Sequence, residues 1–251
     1  MKYFLFFILL TIIIPVTNAQ EANQRTGEFT ISSTVLEIMG ETDAPSFASK
    51  ISITDPIEWE VYVPQNYDPG KASGILVFIN SRNSGKIEEE WKVVMENTNL
   101  IYIGANDSGN DIAIAQRVAY AIIAPRFINN SYYIDPDRIY VSGFSGGSRV
   151  ASMVATEYNN LFKGAIYNSG VNYWGEDAQP SYDEMKNNYY VFMTGTEDFN
   201  LEDTKQVYDA YQNIGVKNSK LIIVPDMAHK RPDAGHLEDA LNYIDMRLRV
   251  D

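Results

Sequence analysis

The 251-residue sequence contains no cysteine and only two histidines. The absence of cysteine excludes disulfide bonds, thiolate metal sites and a lipid anchor attached through cysteine, so packing alone must hold the fold. Positive charge is also scarce, because 20 Lys and Arg residues face 33 Asp and Glu residues and the formal net charge is −13. A surface of this sign repels nucleic acid and anionic lipid, so we expect neither as a partner.

The chain also lacks internal repeats, low-complexity stretches and Gly/Ser-rich linkers. Without such segments, the sequence shows no boundary between two domains. The length allows a substantial core, and 45% of the residues are hydrophobic. One domain is therefore the expected organisation.

The N-terminus differs in kind from the rest of the chain. Lys2 precedes an apolar stretch over 3–16, and residues 17–19 end in a small side chain. This layout is typical of a cleaved secretory signal, with an uncleaved N-terminal anchor as the alternative. We expect a signal peptide over 1–19, a single domain over 20–251, and a secreted or periplasmic protein without stable membrane insertion after cleavage.

Short apolar segments alternate with helical patterns through most of the chain. Two antiparallel strands, 28–37 and 57–63, are expected to lead the sheet. Later strands are predicted at 74–79, 100–104, 139–141, 165–167, 190–193 and 221–224, and helices at 86–97, 111–127 (ending near Pro125), 148–158, 203–214 and from Leu237 to Leu248. This alternation predicts an α/β fold, with a mostly parallel sheet covered by helices on both faces. Only about twenty residues separate the strands near 168 and 189, which leaves no room for a large lid domain.

A glycine-rich turn over 143–147 interrupts the strand pattern around residue 140. Its sequence is G-x-S-x-G with Ser145 at the centre, and this motif needs a tight turn from a strand into a helix. At the N-terminus of that helix, the helix dipole and free N–H groups favour negative charge beside the serine hydroxyl. The motif predicts a nucleophilic serine, with an ordinary helix-capping turn as the alternative.

A serine hydroxyl is a weak nucleophile until a base takes its proton, and His229 is the favoured base. His229 follows the strand at 221–224, whereas His236 lies seven residues on, at the start of the last helix, where it suits a capping position. Asp198, on the turn after the strand at 190–193, is expected to accept a hydrogen bond from the other ring nitrogen, with Glu197 as the fallback.

The chain order Ser145, Asp198, His229 is that of the α/β-hydrolases. Such an arrangement also needs two N–H donors for the oxyanion of the tetrahedral intermediate. The backbone of Gly146 supplies one, and the loop after the strand at 74–79 is expected to supply the other, through Ser81 or Arg82. No metal and no cofactor are expected.

From about Trp59 to the C-terminus, the chain resembles secreted polyhydroxybutyrate-depolymerase-like and feruloyl-esterase-like α/β-hydrolases. The resemblance implies a secreted carboxylic-ester hydrolase that works through an acyl-enzyme, with Ser145 as nucleophile, His229 as base and Asp198 as its orienting acid. Many relatives carry His-Gly where this chain has Asn80-Ser81, so the resemblance identifies neither the second oxyanion donor nor the substrate preference tied to that loop. The matching segments are Glu60-Val-Tyr-Val-Pro64, Tyr67-Asp-Pro-Gly70, Ile134-Asp-Pro-Asp-Arg-Ile-Tyr-Val-Ser-Gly-Phe-Ser-Gly-Gly147, Gly195-Thr-Glu-Asp198 and Asp226-Met-Ala-His229.

Two aromatic residues, Tyr173 and Trp174, follow the strand at 165–167. They are placed either to stack on a sugar or phenolic ring of a substrate, or to close the edge of the core. The expected partner is a small-molecule or polymeric ester, such as a carbohydrate or phenolic ester. The alternatives are a catalytically silent binding module, which the unusual Asn80-Ser81-Arg82 loop favours, and a serine peptidase of the same fold.

Overall fold

The computed structural model describes residues 24–174 and 182–245. Eight strands form its sheet: β1 (Gly27–Thr34), β2 (Pro56–Val63), β3 (Ser73–Ile79), β4 (Leu100–Ala105), β5 (Ile134–Phe144), β6 (Gly164–Asn168), β7 (Tyr189–Gly195) and β8 (Ser219–Val224). Their order across the sheet is β1-β2-β4-β3-β5-β6-β7-β8. The β1/β2 and β2/β4 pairs are antiparallel, and the remaining pairs are parallel. The two leading antiparallel strands and the mostly parallel sheet are thus confirmed.

Helices cover both faces of this sheet, as predicted. They are α1 (Val35–Asp43), α2 (Lys92–Thr98), α3 (Ile114–Asn129), α4 (Gly146–Glu157), α5 (Tyr182–Met185), α6 (Leu201–Asn213) and α7 (Ala234–Ile244). Buried residues of α1, α3, α4 and α6 belong to the core on one face, and those of α2 and α7 to the core on the other. In the described part of the β6–β7 connection the helix is the one-turn α5, and no large lid is evident there.

The central strand β3 shows how the sequence specifies two cores at once. All of its residues are buried, and successive side chains of a strand point to opposite faces. Ile75, Val77 and Ile79 pack into the core beneath α3 and α4. Leu76 and Phe78 pack into the other core, beneath α2 and α7. A strand that is apolar at every position therefore needs helices on both sides, which is why its sequence lacks polar alternation.

The predicted first strand, 28–37, was too long at its C-terminal end. The strand stops at Thr34, and α1 begins at Val35. A capping box makes this boundary, because the Thr34 hydroxyl accepts from the Glu37 backbone N–H at 3.1 Å and the Glu37 carboxylate accepts from the Thr34 N–H at 2.8 Å. Two N–H groups that a helix start leaves unpaired are satisfied in this way, so the β-branched residues here do not continue the strand.

Two helix boundaries also differ from prediction. A helix was expected at 86–97, but residues 86–88 are not helical. The chain enters α2, which begins at Lys92, through a 3₁₀ turn, Glu89–Trp91. The helix expected at 111–127 begins at Ile114 and runs through Pro125 to Asn129. Proline removes one helical hydrogen bond, but the helix interior continues because Ala124 and Ile128 are fully packed against the sheet.

Some predictions concern residues that the structure does not describe. The signal peptide predicted over 1–19 and the last position of the final helical stripe, Leu248, lie outside residues 24–174 and 182–245. Within those two ranges, no helix has both the length and the apolar character needed to cross a membrane.

Candidate active site

Ser145 stands alone between the end of β5 and the start of α4. Its backbone has φ 55° and ψ −123°, a conformation that residues other than glycine rarely adopt. The neighbouring glycines make this turn possible, because a Cβ on Gly143 would lie 2.6 Å from the carbonyl of Gly147. The predicted strand-to-helix turn is therefore present, and it projects the serine from the C-terminal edge of the sheet.

The structure brings Ser145 together with His229 and Asp198. The Ser145 Oγ lies 2.9 Å from His229 Nε2, and His229 Nδ1 lies 3.0 Å from Asp198 Oδ1. Asp198 follows β7 and His229 follows β8, so both side chains come from loops at the same edge of the sheet as the serine. This geometry allows the imidazole to take the serine proton while the carboxylate holds its other N–H.

The surroundings of Asp198 favour the ionised form of its carboxyl group. Its side chain is fully buried, and burial alone would raise the pKa of the carboxyl. The nearby Ser169 hydroxyl, the Asn200 backbone N–H, which donates to Asp198 Oδ1 at 2.9 Å, and His229 outweigh that effect and lower the pKa of Asp198 below its usual value. A permanent carboxylate beside the ring stabilises the imidazolium that forms when the serine is deprotonated.

The two alternative residues weighed in the sequence do not join this group. Glu197 is exposed, and its backbone N–H donates to the carbonyl of Met227 at 3.1 Å. His236 lies in the first turn of α7, where its N–H donates to the Asp233 carboxylate at 2.9 Å. His236 therefore lies at the start of the last helix, as expected, but Asp233 and not His236 is the cap.

Asn200 and Arg149 support the site and were not predicted. Asn200 Nδ2 donates to the Ser169 carbonyl at 2.9 Å and lies 3.4 Å from His229 Nδ1. Arg149, on α4, donates to Asn200 Oδ1 at 2.8 Å. An asparagine just before α6 resembles a helix cap in the sequence, but its side chain makes no capping bond. That free side chain instead links the Asp198 loop to the helix that follows Ser145.

Two aromatic rings enclose the His229 imidazole, and neither was predicted. The ring of Phe144 lies 5.0 Å from the imidazole and that of Phe199 lies 4.3 Å from it, measured between centroids. Phe199 is 77% exposed. Its outer face therefore forms an apolar surface directly beside the reactive side chains.

The loop expected to hold the second oxyanion donor runs beside Gly146. A Cβ on Gly147 would lie 2.7 Å from the carbonyl carbon of Asn80, so the start of this loop touches the first turn of α4. The buried Arg117 fixes the loop by donating to the Asn80 carbonyl at 2.8 Å. Ser81 and Arg82 follow Asn80 directly in the chain, and their role as the second N–H donor stays a prediction.

Asn110 also reaches this region and was not predicted. Its backbone N–H donates to the Ser81 carbonyl at 3.1 Å. Its side-chain amide packs on Gly146, since a Cβ at that position would lie 2.7 Å from Asn110 Nδ2. The glycine after the serine thus leaves room for an amide group as well as for the substrate.

Tyr173 and Trp174 contact the body of the protein. The Trp174 indole N–H donates to the hydroxyl of Ser152, on α4, at 3.0 Å. Tyr173 is 41% exposed, and its ring lies 6.5 Å from that of the buried Tyr211. These contacts favour the interpretation that both residues close the edge of the core.

Comparisons with known proteins agree with this architecture. The model of the prolyl oligopeptidase family matches residues 121–181. Acetylxylan esterase A of Emericella nidulans is 32% identical over 97 residues, a match that spans 39% of this chain and 27% of that protein. The matched segment is thus about a quarter of the curated relative's length.

Solved structures extend the likeness over most of the chain. A ferulic acid esterase superposes with a TM-score of 0.60 at 14% identity, covering 90% of this chain and 99% of that one. The chain has the α/β-hydrolase fold. Another α/β-hydrolase structure, dipeptidyl peptidase 4 of Porphyromonas gingivalis, has a TM-score of 0.58 at 16% identity and covers 78% of this chain but 34% of that one. At these identities the likeness establishes the fold, which confirms the predicted resemblance at that level.

Proposed function

We propose that this α/β-hydrolase is a serine esterase that hydrolyses carboxylic esters through an acyl-enzyme on Ser145. The observation that carries the proposal is the hydrogen-bonded series from Ser145 Oγ through His229 to Asp198, with separations of 2.9 and 3.0 Å. The likeness to an acetylxylan esterase and a ferulic acid esterase favours ester substrates.

In the acylation step, Ser145 Oγ attacks the carbonyl carbon of the ester while His229 Nε2 accepts the hydroxyl proton. The carbonyl oxygen becomes an oxyanion, which receives the N–H of Gly146 and one from the Ser81–Arg82 segment. When the intermediate collapses, the bond to the alcohol oxygen breaks and His229 returns the proton to that oxygen. The alcohol leaves, and the acyl group remains on Ser145.

Deacylation repeats these steps with water as the nucleophile. His229 accepts a proton from water as its oxygen attacks the acyl carbon, and the same N–H groups bind the oxyanion. The bond to Ser145 Oγ then breaks, the proton returns to that oxygen, and the carboxylic acid is released. Asp198 remains ionised throughout and holds the imidazole in the required orientation.

The substrate class follows from the surroundings of the serine. The exposed ring of Phe199 offers a flat apolar surface next to His229, which suits a sugar or phenolic ring. The absence of a large lid in the described β6–β7 connection leaves space for a bulky or polymeric ester. We include secretion in the proposal, because residues 1–19 have the pattern of a signal peptide and polymeric esters lie outside the cell.

A serine peptidase is the second candidate. The match of residues 121–181 to the prolyl oligopeptidase family favours it, and peptide hydrolysis would use the same three side chains. Relative rates on esters and peptides therefore separate the two functions. A catalytically silent binding module is less consistent with the side-chain geometry, since binding alone does not require a serine bonded to a histidine whose other ring nitrogen meets a buried aspartate.

The first test is intact-protein mass after incubation with a fluorophosphonate. We expect a single adduct on the wild type and none on Ser145→Ala. Ser148→Ala is the matched control, because Ser148 lies in the same turn but its buried hydroxyl has no hydrogen-bond partner among the described residues. Labelling of a folded Ser145→Ala, or none on the folded wild type, would overturn the assignment.

The second part of the test compares substrates. We expect 4-nitrophenyl acetate and acetylated or feruloylated sugars to be hydrolysed faster than a dipeptide 4-nitroanilide. A larger kcat/KM on the dipeptide would favour the peptidase instead.

A further inference from the structure

A polar cavity of about 350 Å³ lies between the loop after β3 and the segment that follows His229. Its wall includes Asn80 and Arg82 of that loop. On the opposite side it includes Arg231, two residues beyond His229. No step of the mechanism proposed above uses the side chains of these two arginines.

The Phe144 ring lies between Arg231, in the cavity wall, and the proposed base His229. The guanidinium carbon of Arg231 lies 5.8 Å from the centroid of the Phe144 ring. The same ring lies 5.0 Å from the imidazole of His229, and Phe144 directly precedes Ser145. The cavity wall is thus separated from the His229 imidazole by one aromatic ring.

Charges in the cavity are paired except at one residue. Of the two carboxylates in its wall, Glu88 forms an ion pair with Arg231, and Glu89 lies 2.5 Å from Lys92. Lys86, also in the wall, lies 3.4 Å from Glu28. Arg82 makes no ion pair and no side-chain hydrogen bond with the described residues, and it is exposed to the cavity.

The two arginines lie close enough to influence each other. Burial, and after it the charge of Arg82, lowers the pKa of Arg231. Like charges in one cavity repel, and an anion between them would remove that repulsion. In a chain whose net charge is −13, such a pairing of cations beside a reactive serine is not expected from composition.

We propose that this cavity binds a carboxylate carried by the ester substrate, with the unpaired Arg82 as its main partner and Arg231, which is already paired with Glu88, as the second cation beside it. The inference rests on the proposed esterase function and narrows its substrate class. Arginine is suited to this role because its planar guanidinium donates two parallel N–H bonds to a carboxylate. The carboxylate belongs to either the acid or the alcohol part of the ester, and substrates of both kinds distinguish them.

The test uses two pairs of esters that differ in one charge. For the acid part, 4-nitrophenyl hydrogen adipate is compared with 4-nitrophenyl hexanoate. For the alcohol part, 4-acetoxybenzoate is compared with its methyl ester. The measured quantity is the ratio of kcat/KM for the anionic ester to that for the neutral ester, which cancels any general effect of a substitution on catalysis.

Arg82→Met is expected to lower this ratio about 2- to 5-fold for one pair, the size of an ion pair at a partly exposed site. Glu88→Gln is expected to raise the ratio for the same pair, because it frees Arg231 to bind the substrate. Lys71→Met is the matched control, since Lys71 is an exposed cation in the loop before β3, at the opposite end of that strand from Arg82. It should leave the ratio unchanged.

The outcomes separate the two proposals. If the wild type hydrolyses no ester, the esterase function itself is wrong. If neutral esters are hydrolysed but Arg82→Met and Glu88→Gln leave both ratios at the wild-type value, or shift them in the same direction, the carboxylate site is refuted. A change confined to the adipate pair places the carboxylate on the acid, and one confined to the acetoxybenzoate pair places it on the alcohol.

Discussion

Ser145 shows how one residue can combine backbone strain with a functional position. Its φ of 55° is positive, and positive φ values also occur at Ser169 and Asp226. Ser145 directly follows β5, Ser169 directly follows β6, and Asp226 comes two residues after the end of β8. All three lie at the same edge of the sheet. The chain therefore turns sharply where the reactive groups meet, and rigid strands below this edge hold the turns in place.

We predict that relieving the strain at Ser145 stabilises the protein although it removes the nucleophile. A strained residue of this kind costs roughly 1 to 3 kcal/mol, whereas glycine normally loses about 0.5 to 1 kcal/mol relative to alanine. Strain is the larger effect, so Ser145→Gly should be more stable than Ser145→Ala by about 1 kcal/mol. Urea unfolding of both variants measures the difference, and equal or reversed stabilities would show that the turn is unstrained.

The three side chains that the structure brings together could be picked out in the sequence because each depends on a local feature. Ser145 follows from a short glycine motif, while His229 and Asp198 follow from polar residues just after apolar strands. Asn200 and Arg149 were not predictable, because their contact joins positions 51 residues apart in the sequence. Nothing in either local sequence specifies that distance; the packing of α4 and α6 on one face of the sheet sets it.

At the scale of secondary structure, the sequence pattern located all eight strands of the described sheet but misplaced several strand and helix boundaries. Apolar strands such as β3 are recognisable because burial on both faces excludes polar residues. The start of α1 was missed although Thr34 and Glu37 have capping-box spacing, since the β-branched residues around them fit a strand equally well. The continuation of α3 through Pro125 depends on tertiary packing, which the sequence pattern does not display.

The cap of α7 gives a prediction with a pH dependence. The Asp233 carboxylate accepts from the His236 N–H at 2.9 Å. That backbone hydrogen bond is the main cause that lowers the pKa of Asp233 below its usual 3.8. The stabilisation is therefore present above about pH 4 and disappears as the pH falls through the lowered pKa. Asp233→Ala should cost about 1 kcal/mol at pH 7 and progressively less below pH 4.

Asp233→Asn is the matched control for this cap. An asparagine accepts the same bond but does not titrate, so its stability relative to Asp233→Ala should be independent of pH between 7 and 2.5. Thermal unfolding of the three proteins across this range measures both quantities. A constant difference between wild type and Asp233→Ala down to pH 2.5 would contradict the role of the ionised cap.

At the scale of the whole molecule, a buried ionic group joins the sheet to the end of the chain's last described helix. Arg138, on β5, donates to both carboxylate oxygens of Asp245, at 3.2 and 2.7 Å. It also donates to the Thr98 carbonyl, at the end of α2, at 2.6 Å, and the Tyr140 hydroxyl donates to Asp245. The group thus links β5 to both helices of one face. Burial, and after it the charge of Asp245, raises the pKa of Tyr140.

We predict that removing one partner of the Arg138–Asp245 ion pair destabilises the protein more than removing both. Arg138 is 8% exposed, and removing the partner of a buried charge costs about 3 to 5 kcal/mol. Asp245→Ala should therefore destabilise by that amount, whereas Arg138→Met combined with Asp245→Ala should recover a large part of it, because no unpaired charge is left. Urea unfolding of the two single variants and the double variant measures the coupling.

The same variants test how far the site depends on the rest of the molecule. Ser145 directly follows the C-terminal end of β5, whereas Arg138 lies near the middle of that strand, and the hydrogen-bonded strands β3 and β6 flank the residues between them. Rigid strands confine the damage to the place where it occurs, so the folded fraction of each variant should react with a fluorophosphonate at the wild-type rate. Loss of labelling in a folded Asp245→Ala would show instead that β5 transmits the change along its length to the serine.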